Sequence, residues 1–294
     1  MKSNILNNSQ YMNWLEKLDE ATLRKVLTVL PGSPFEKAEV MKRIRWKQRN
    51  RIIIHIPHAS LTVPEEFQKR LLIDEEEFEK ENIFESDYLI DVFCSGDLDH
   101  LIFPYSRMFC DVERFRDDRK EHMAMFYQRG VVYEKDARKR SFIQIDETYK
   151  KHILEDYYDP HHKTLTDKVK EKILSYGECL VIDLHSYSDF YEGMLGKRIN
   201  GISPDICIGF NDYELTKDVI ETVQRLCAKY GYTNILNVPY SGSIVPVDYM
   251  NDKRVKSVML EINKRIYLNE DMVELDTEKA KKLKRFTEEF FRKL

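Results

Sequence analysis

The chain contains 294 residues, of which 42% are hydrophobic and 12% aromatic, enough to build the core of one large α/β domain or two small ones. Its formal net charge of −4 provides no general electrostatic attraction to nucleic acid. No apolar run approaches the ~18 residues of a membrane span, and the first residues contain no apolar stretch typical of a signal peptide, so secretion is not expected. Five scattered cysteines favour a reduced, cytoplasmic setting.

The first 49 residues are predicted to form a helical hairpin in front of the main domain. Apolar residues recur at roughly helical spacing from Tyr11 to Leu30, residues 31–34 break this pattern, and a basic helix is expected from Phe35 to Asn50. The basic residues of this second helix are typical of a solvated face rather than of a nucleic-acid patch. We therefore expect an N-terminal extension over residues 1–49 and a single catalytic domain over residues 50–294.

The remainder of the chain alternates predicted strands with predicted helices. This alternation indicates an α/β fold with a mainly parallel or mixed sheet covered by helices on both faces. The apolar runs at 51–56 and 179–184 are typical of strands that are buried on both faces. Further strands are predicted at 101–103, 205–210, 234–238 and 257–262, and a small hairpin at 123–134. Helices are predicted at 74–80, 85–94, 146–175, 213–230 and 277–294, the third of them interrupted at Asp159-Pro160.

Polar residues follow the two buried strands at their carboxyl ends. The first strand leads into His58, and the second ends on Asp183-Leu184-His185-Ser186. Open α/β sheets place their ligand sites at the carboxyl ends of the strands. Either histidine alone is more often a core or surface residue. Two histidines at corresponding strand ends, however, suggest one metal site assembled from distant parts of the chain.

An acidic residue interrupts another apolar strand. Glu261 lies within residues 257–262, where a carboxylate is costly to bury unless it is paired, protonated or next to a metal. Beside a metal ion Glu261 can act as a general base, because the metal lowers the pKa of bound water toward ~7. The alternative is a structural ion pair with Arg265 or another basic residue.

The charged segment over residues 105–119 lacks a helix start signal and is predicted to be a long loop at the rim of the sheet. It contains Arg107 and Arg114, whose guanidinium groups suit bidentate recognition of a substrate carboxylate. The alternative for both arginines is a surface salt bridge with an acidic neighbour in the same segment.

Five short motifs, each weak alone, occur in one order along the chain. They are His55-Ile56-Pro57-His58-Ala59-Ser60, Asp111-Val112-Glu113-Arg114-Phe115, Tyr158-Asp159-Pro160-His161-His162, Asp183-Leu184-His185-Ser186 and Glu261-Ile262-Asn263-Lys264-Arg265-Ile266-Tyr267. Together they resemble the N-formylglutamate amidohydrolase family over about residues 51–268. The resemblance implies a zinc hydrolase related in fold to the metallocarboxypeptidases and aspartoacylase, with one Zn²⁺, that cleaves N-formyl-L-glutamate to formate and glutamate.

The resemblance also implies a set of metal ligands. In those relatives a His-x-x-Glu pair and a later histidine hold the zinc ion. His58 and His185 match the two histidines, but Leu61 stands where the glutamate would be. Asp87 resembles an acidic motif of the family and is the expected third ligand. The next candidates for this position are Asp111 and His55.

Catalytic and substrate-binding roles follow from the same resemblance. Glu261 becomes the general base, and Arg107 and Arg114 hold the substrate's carboxylates or the developing oxyanion. His162 polarises the carbonyl or orients a ligand, unless it is simply a surface residue at a helix start. The expected partner is a small acidic N-acyl amino acid. The alternatives are another acidic N-acyl substrate, or a binding protein that retained the scaffold without catalysis.

Overall fold

The structure is a computed structural model and describes residues 8–29, 34–189 and 203–294. Within these ranges six strands form one sheet in the order β2-β1-β3-β6-β4-β5. The strands are β1 (Ile52–Ile56), β2 (Asp99–Ile102), β3 (Cys179–Tyr187), β4 (Ile206–Gly209), β5 (Asn234–Leu236) and β6 (Val255–Asn263). All neighbours are parallel except β4 and β6, which are antiparallel. The predicted mainly parallel α/β fold is confirmed.

The helices flank this sheet and precede it. They are α1 (Asn8–Lys17), α2 (Glu20–Val29), α3 (Pro34–Asn50), α4 (Glu65–Gln68), α5 (Glu75–Glu85), α6 (His122–Tyr127), α7 (Glu147–Ile153), α8 (Asp159–Tyr176), α9 (Tyr213–Tyr230) and α10 (Thr277–Lys293). Short 3₁₀ segments cover Ile90–Phe93, Asp118–Lys120, Val247–Tyr249 and Lys264–Ile266. None of the helices in the described ranges has both the length and the apolar character that a membrane crossing requires.

Three local predictions were wrong. The helix expected over residues 85–94 is reduced to the short segment Ile90–Phe93, because the chain leaves α5 in extended form at Ser86. The hairpin expected over residues 123–134 begins instead with α6. The break expected at Pro160 is replaced by a π-helical segment, Leu154–Tyr158, which connects α7 and α8 without interruption.

Strand β3 illustrates how the sheet divides its two faces. Leu180, Ile182 and Leu184 point into a large apolar core that α9 and α10 close. The opposite face begins with Val181, which packs against α8. Because side chains alternate along a strand, Asp183 and His185 continue that second face toward the carboxyl end. The sheet therefore has one mainly apolar face, whereas the polar side chains of the other face include Asp183 and His185 near the carboxyl end of β3.

A second apolar core lies beneath the segments that connect β1 to α8. In this core Phe67 packs edge to face against Phe109 and tilted against Phe78, with ring centroids 5.4 and 5.9 Å apart. This core also contains Phe103, Met108, Cys110 and Val112, on both sides of Asp111. The long rim segment expected to be a loop is thus anchored by buried side chains, which positions its charged residues.

The N-terminal extension contains three helices where two were predicted. The helix expected from Tyr11 to Leu30 is divided because Asp19 caps a new helix, α2, accepting a hydrogen bond from the Thr22 backbone N–H at 2.7 Å. The predicted break at residues 31–33 lies outside the described residues. The three helices share a small core of their own, formed by Leu15, Leu23, Val40 and Ile44. The domain boundary at residue 49 remains a prediction.

Leu23→Ala tests whether this small core stabilises the N-terminal helices separately from the sheet. Leu23 is fully buried, so its truncation should cost ~2–5 kcal/mol of local stability. Amide hydrogen exchange should accelerate in α2 and α3 while β3 stays protected. Leu174→Ala, at a position 78% exposed on α8, is the control and should change neither region. Equal acceleration in β3 would show that the two parts unfold as one unit.

Candidate metal centre and active site

The register between β1, β3 and β6 brings four titratable residues together. His55 lies beside Asp183, and His185 lies beside Glu261. Residues in register on neighbouring strands point to the same face, and Asp183 and His185 are two positions apart on one strand. All four side chains therefore lie on the same face of the sheet, and all four are buried.

One group of potential metal ligands is formed by His58, Asp87 and His185, the three residues predicted to bind zinc. Their ligand atoms lie within 4.8 Å of one another. Asp87 Oδ2 is 3.0 Å from His185 Nδ1 and 3.6 Å from His58 Nδ1. His58 Nδ1 is buried and has no hydrogen-bond partner among the described residues. Two imidazole nitrogens and one carboxylate are a normal donor set for catalytic zinc, so these residues fit the ion.

Asp111, an alternative third ligand, lies behind His58 rather than within this group. The Nε2 nitrogen of His58 is 2.8 Å from Asp111 Oδ1, which leaves Nδ1 to face Asp87. Asp111 also accepts hydrogen bonds from Arg107 at 2.8 Å and from the Tyr133 hydroxyl at 2.5 Å. Burial alone would raise the pKa of Asp111, but Arg107 and His58 hold it well below its ordinary value. A carboxylate in this position orients a metal-binding histidine.

Asp87 reaches the site because α5 ends at Glu85 and Ser86 continues in extended conformation. The Asp87 backbone N–H donates to the His58 carbonyl oxygen at 2.8 Å. The buried Lys264 donates from Nζ to the carbonyl oxygens of Phe84 at 2.9 Å and Ser86 at 2.5 Å. Burial lowers the pKa of Lys264 to about 8. Lys264 thus joins the end of β6 to the segment that carries Asp87, a role that the sequence did not reveal.

Glu261 is buried without an ion-pair partner among the described residues. Its Oε2 atom has no hydrogen-bond partner in that part of the chain. The predicted alternative, a pair with Arg265, is wrong, because Arg265 binds Asp189 at 3.0 Å and Asp205 at 2.8 Å. Burial raises the pKa of Glu261 to about 8. A carboxylate with a raised pKa beside the potential metal ligands is suited to proton transfer.

Arg107 and Arg114 lie at the edge of the same site. Both approach Asp111 Oδ2, at 2.8 and 3.5 Å respectively. Both arginines therefore pair with an acidic neighbour, as the alternative prediction stated. The pairs do not lie on the surface, however, because the two arginine side chains are only 17% and 22% exposed. The Nε atom of each arginine has no hydrogen-bond partner among the described residues. The Nε of Arg114 is the atom that faces Asp111 Oδ2, so the guanidinium N–H groups that Asp111 does not engage remain for an anion.

His162 lies outside this group of ligand atoms. Its Nε2 donates to the Val112 carbonyl oxygen at 2.8 Å, and its ring packs on Tyr158 with centroids 4.2 Å apart. Burial lowers the pKa of His162. Its contacts hold α8 against the segment that contains Asp111 and Arg114, and a direct catalytic role for His162 remains a prediction.

A second group of ligand atoms, from His55, Glu113 and Asp183, also lies within 4.8 Å. His55 was predicted only as an alternative zinc ligand, and no metal-binding role was predicted for Asp183 or Glu113. Burial alone would lower the pKa of His55, but Asp183 and Glu113 raise it to about 9. The two-residue spacing of Asp183 and His185 on a strand was the signal that both side chains share one face.

Comparisons with known proteins agree with this architecture. The family model described as N-formylglutamate amidohydrolase matches residues 50–268. The N-formylglutamate deformylase of Pseudomonas putida is 24% identical over 172 residues, which are 56% of this chain and 62% of that protein. The chain therefore spans less than two thirds of the length of this curated relative.

Two solved structures share the fold. The N-formylglutamate amidohydrolase of Ralstonia eutropha JMP134 superposes with a TM-score of 0.72 at 18% identity, over 83% of this chain and 92% of that one. A gene product of Agrobacterium tumefaciens superposes with a TM-score of 0.57 at 15% identity, over 83% and 89% of the two chains. At these identities the comparison supports a common fold.

The buried carboxyl of Glu261 predicts a specific dependence of stability on pH in the metal-free protein. Its pKa rises from 4.5 to about 8 on folding, so the folded state holds the proton more tightly and loses stability as pH rises through this range. Glu261→Gln removes the ionisation. We expect the metal-free variant to be more stable than the parent at about pH 8.5 and similar at about pH 5, as measured by urea unfolding. Glu79→Gln, at an exposed position, should show no such difference. A variant less stable than the parent at the higher pH would reveal a partner for the carboxylate.

Proposed function

Because this chain belongs to the N-formylglutamate amidohydrolase family, we propose that it is a zinc-dependent hydrolase that cleaves N-formyl-L-glutamate to formate and glutamate. The observation that carries the proposal is the buried group of His58, Asp87 and His185, with Glu261 in register beside His185. The family supports hydrolysis of an amide bond, and the donor set supports zinc.

His58, Asp87 and His185 would hold the ion through two imidazole nitrogens and one carboxylate, which leaves a coordination position open. When bound there, zinc supplies a Lewis acid that polarises the amide carbonyl and lowers the pKa of water toward ~7. Asp111 contributes by accepting a hydrogen bond from His58 Nε2, which keeps the Nδ1 lone pair directed at the site.

Glu261 acts as the proton carrier. Its carboxylate receives the proton of the attacking water and returns it to the leaving amine. Its position supports this role, because it lies directly beside His185 and has an oxygen without a hydrogen-bond partner among the described residues. The surrounding buried residues exclude bulk water, so the proton passes between Glu261 and the reactants.

Arg107 and Arg114 bind the acidic end of the substrate. Their guanidinium groups are held by Asp111, which fixes their orientation before the substrate arrives. The guanidinium N–H groups that Asp111 does not engage can then bind a carboxylate or the developing oxyanion at little cost in further ordering. This arrangement favours an acidic N-acyl amino acid over a neutral one.

Glu261→Gln tests the proposed reaction. The amide cannot accept the proton of the water, so kcat for N-formyl-L-glutamate should fall by at least ~10²–10⁴ while zinc content and KM change little. Turnover, zinc content and melting temperature should be measured on one preparation. The control Glu79→Gln should retain parental turnover, and His58→Ala should lose both zinc and turnover.

Two outcomes would contradict the proposal. A folded, zinc-loaded Glu261→Gln variant with near-parental kcat would remove Glu261 from the mechanism. A parent protein that remains metal-free after zinc addition, and inactive on a panel of N-formyl and N-acetyl amino acids, would favour a non-catalytic binding protein on this scaffold.

Arg114→Lys tests recognition of the substrate carboxylate. The variant retains the positive charge but loses the planar fork, so KM for N-formyl-L-glutamate should rise with zinc content unchanged. Arg116→Lys is a matched control in the same segment, because Arg116 is half exposed and pairs with Asp159. Steady-state kinetics identical to the parent would make Arg114 a structural partner of Asp111.

A further inference from the structure

We propose that His55, Glu113 and Asp183 form a second site for a divalent metal ion, next to the group His58–Asp87–His185. The ligand atoms of these three residues lie within 4.8 Å of one another. One imidazole and two carboxylates suit a zinc ion. This proposal goes beyond the proposed function, which requires one ion only.

The spacing of the ligand atoms is close to that around a metal ion. His55 Nδ1 lies 2.8 Å from Asp183 Oδ1 and 3.4 Å from Glu113 Oε1. Atoms bound ~2.0–2.1 Å from a tetrahedral zinc ion are ~3.3 Å apart. A metal ion could therefore occupy the space between these three side chains after small side-chain adjustments.

Two buried polar atoms around this space have no hydrogen-bond partner among the described residues. They are Glu113 Oε1 and His185 Nε2. His185 is 4% exposed, and its Nε2 lies 3.1 Å from Asp183 Oδ1 and 3.6 Å from Glu113 Oε2. These contacts are within ion-pair distance but lack hydrogen-bond geometry, so the polar groups converge on one space. Since buried polar atoms are almost always satisfied, their convergence points to a ligand between them.

The contact that His55 makes through Nε2 supports metal binding through Nδ1. His55 Nε2 lies 2.9 Å from His161 Nε2, and one of the two rings must donate in this contact. Without a metal ion His55 can donate from Nδ1 to Asp183 Oδ1, 2.8 Å away, whereas a bound metal ion would displace that proton and take the Nδ1 lone pair while Nε2 donates to His161. His58 has the same arrangement, with Nε2 held by Asp111 and Nδ1 directed at Asp87. Metal-binding histidines usually donate their other N–H to such a partner.

In the described ranges histidines alone, and no lysine or arginine, face the negative charge of the second group. In the described ranges no lysine or arginine nitrogen lies within 4.0 Å of the carboxylates of Asp183 or Glu113, whereas Asp111 contacts two arginines. Asp183 is fully buried and receives one long hydrogen bond, 3.4 Å from the Ile244 N–H, besides its histidine contacts. Buried carboxylates need a compensating positive charge. A divalent ion supplies it and joins β1, β3 and the segment that carries Arg114.

Zinc stoichiometry of the full chain tests the proposal. The protein is stripped with a chelator, titrated with Zn²⁺ by calorimetry, and its metal content is measured after desalting. We expect two equivalents in the parent, one in Glu113→Gln and one in His58→Ala. Loss of a direct ligand should weaken the second site by more than the ~10–100-fold that loss of an outer partner causes. Asp159→Asn, a surface carboxylate paired with Arg116, is the control and should retain two equivalents.

Glu113 is the preferred position for the substitution because its side chain is partly exposed and lies in a loop. Its replacement should therefore leave the fold intact. Asp183→Asn is the second variant, nearly isosteric with the parent, and should lose the same equivalent. Melting temperature and circular dichroism confirm that each variant is folded. Two equivalents at parental affinity in either folded variant would overturn the proposal.

The remaining outcomes separate this proposal from the proposed function. A parent that binds one equivalent, lost in His58→Ala and kept in Glu113→Gln, would overturn the second site and leave the hydrolase intact. One equivalent lost in Glu113→Gln and kept in His58→Ala would support the second site and count against the first. A parent that binds no zinc would overturn both.

Discussion

The in-register alignment of β1, β3 and β6 is the constraint on which the site depends. It places His55 beside Asp183 and His185 beside Glu261 near the ends of strands whose other face packs mainly into an apolar core. Shifting one strand by a single residue would turn these side chains into the core formed with α9 and α10. The apolar face therefore does more than stabilise the sheet, because it also specifies which residues meet on the opposite face.

Burying so many titratable groups requires support from outside the sheet. Asp111 holds His58, Arg107 and Arg114 at once, and Lys264 donates to the carbonyl oxygens in front of Asp87. The segment that carries Asp111 is anchored in the second, aromatic core, and Lys264 lies between residues of the large apolar core. Their rigidity means that ligands, proton carrier and anion-binding groups are oriented before any substrate binds, which reduces the ordering cost of catalysis.

Local patterns predicted much of the fold correctly. Helix α9 spans Tyr213–Tyr230, the predicted bounds, because Asp212 caps its start and Gly231 adopts the left-handed conformation at its end. Such signals lie within a few residues of the element they define. The predictions for residues 85–94 and 123–134 were wrong because those segments are shaped by contacts with distant parts of the chain, such as that of Asp87 with His58.

The sequence by itself determined the α/β architecture, the strands that end on His58 and His185, and the burial of Glu261, because periodicity and composition act locally. Only the tertiary structure decided the partners. It brought Asp87 to the two histidines, paired Arg265 with Asp189 and Asp205 rather than with Glu261, and joined Glu113 to His55 and Asp183. These partners are far apart along the chain, and a single sequence contains no local signal for contacts that arise from strand register and loop packing.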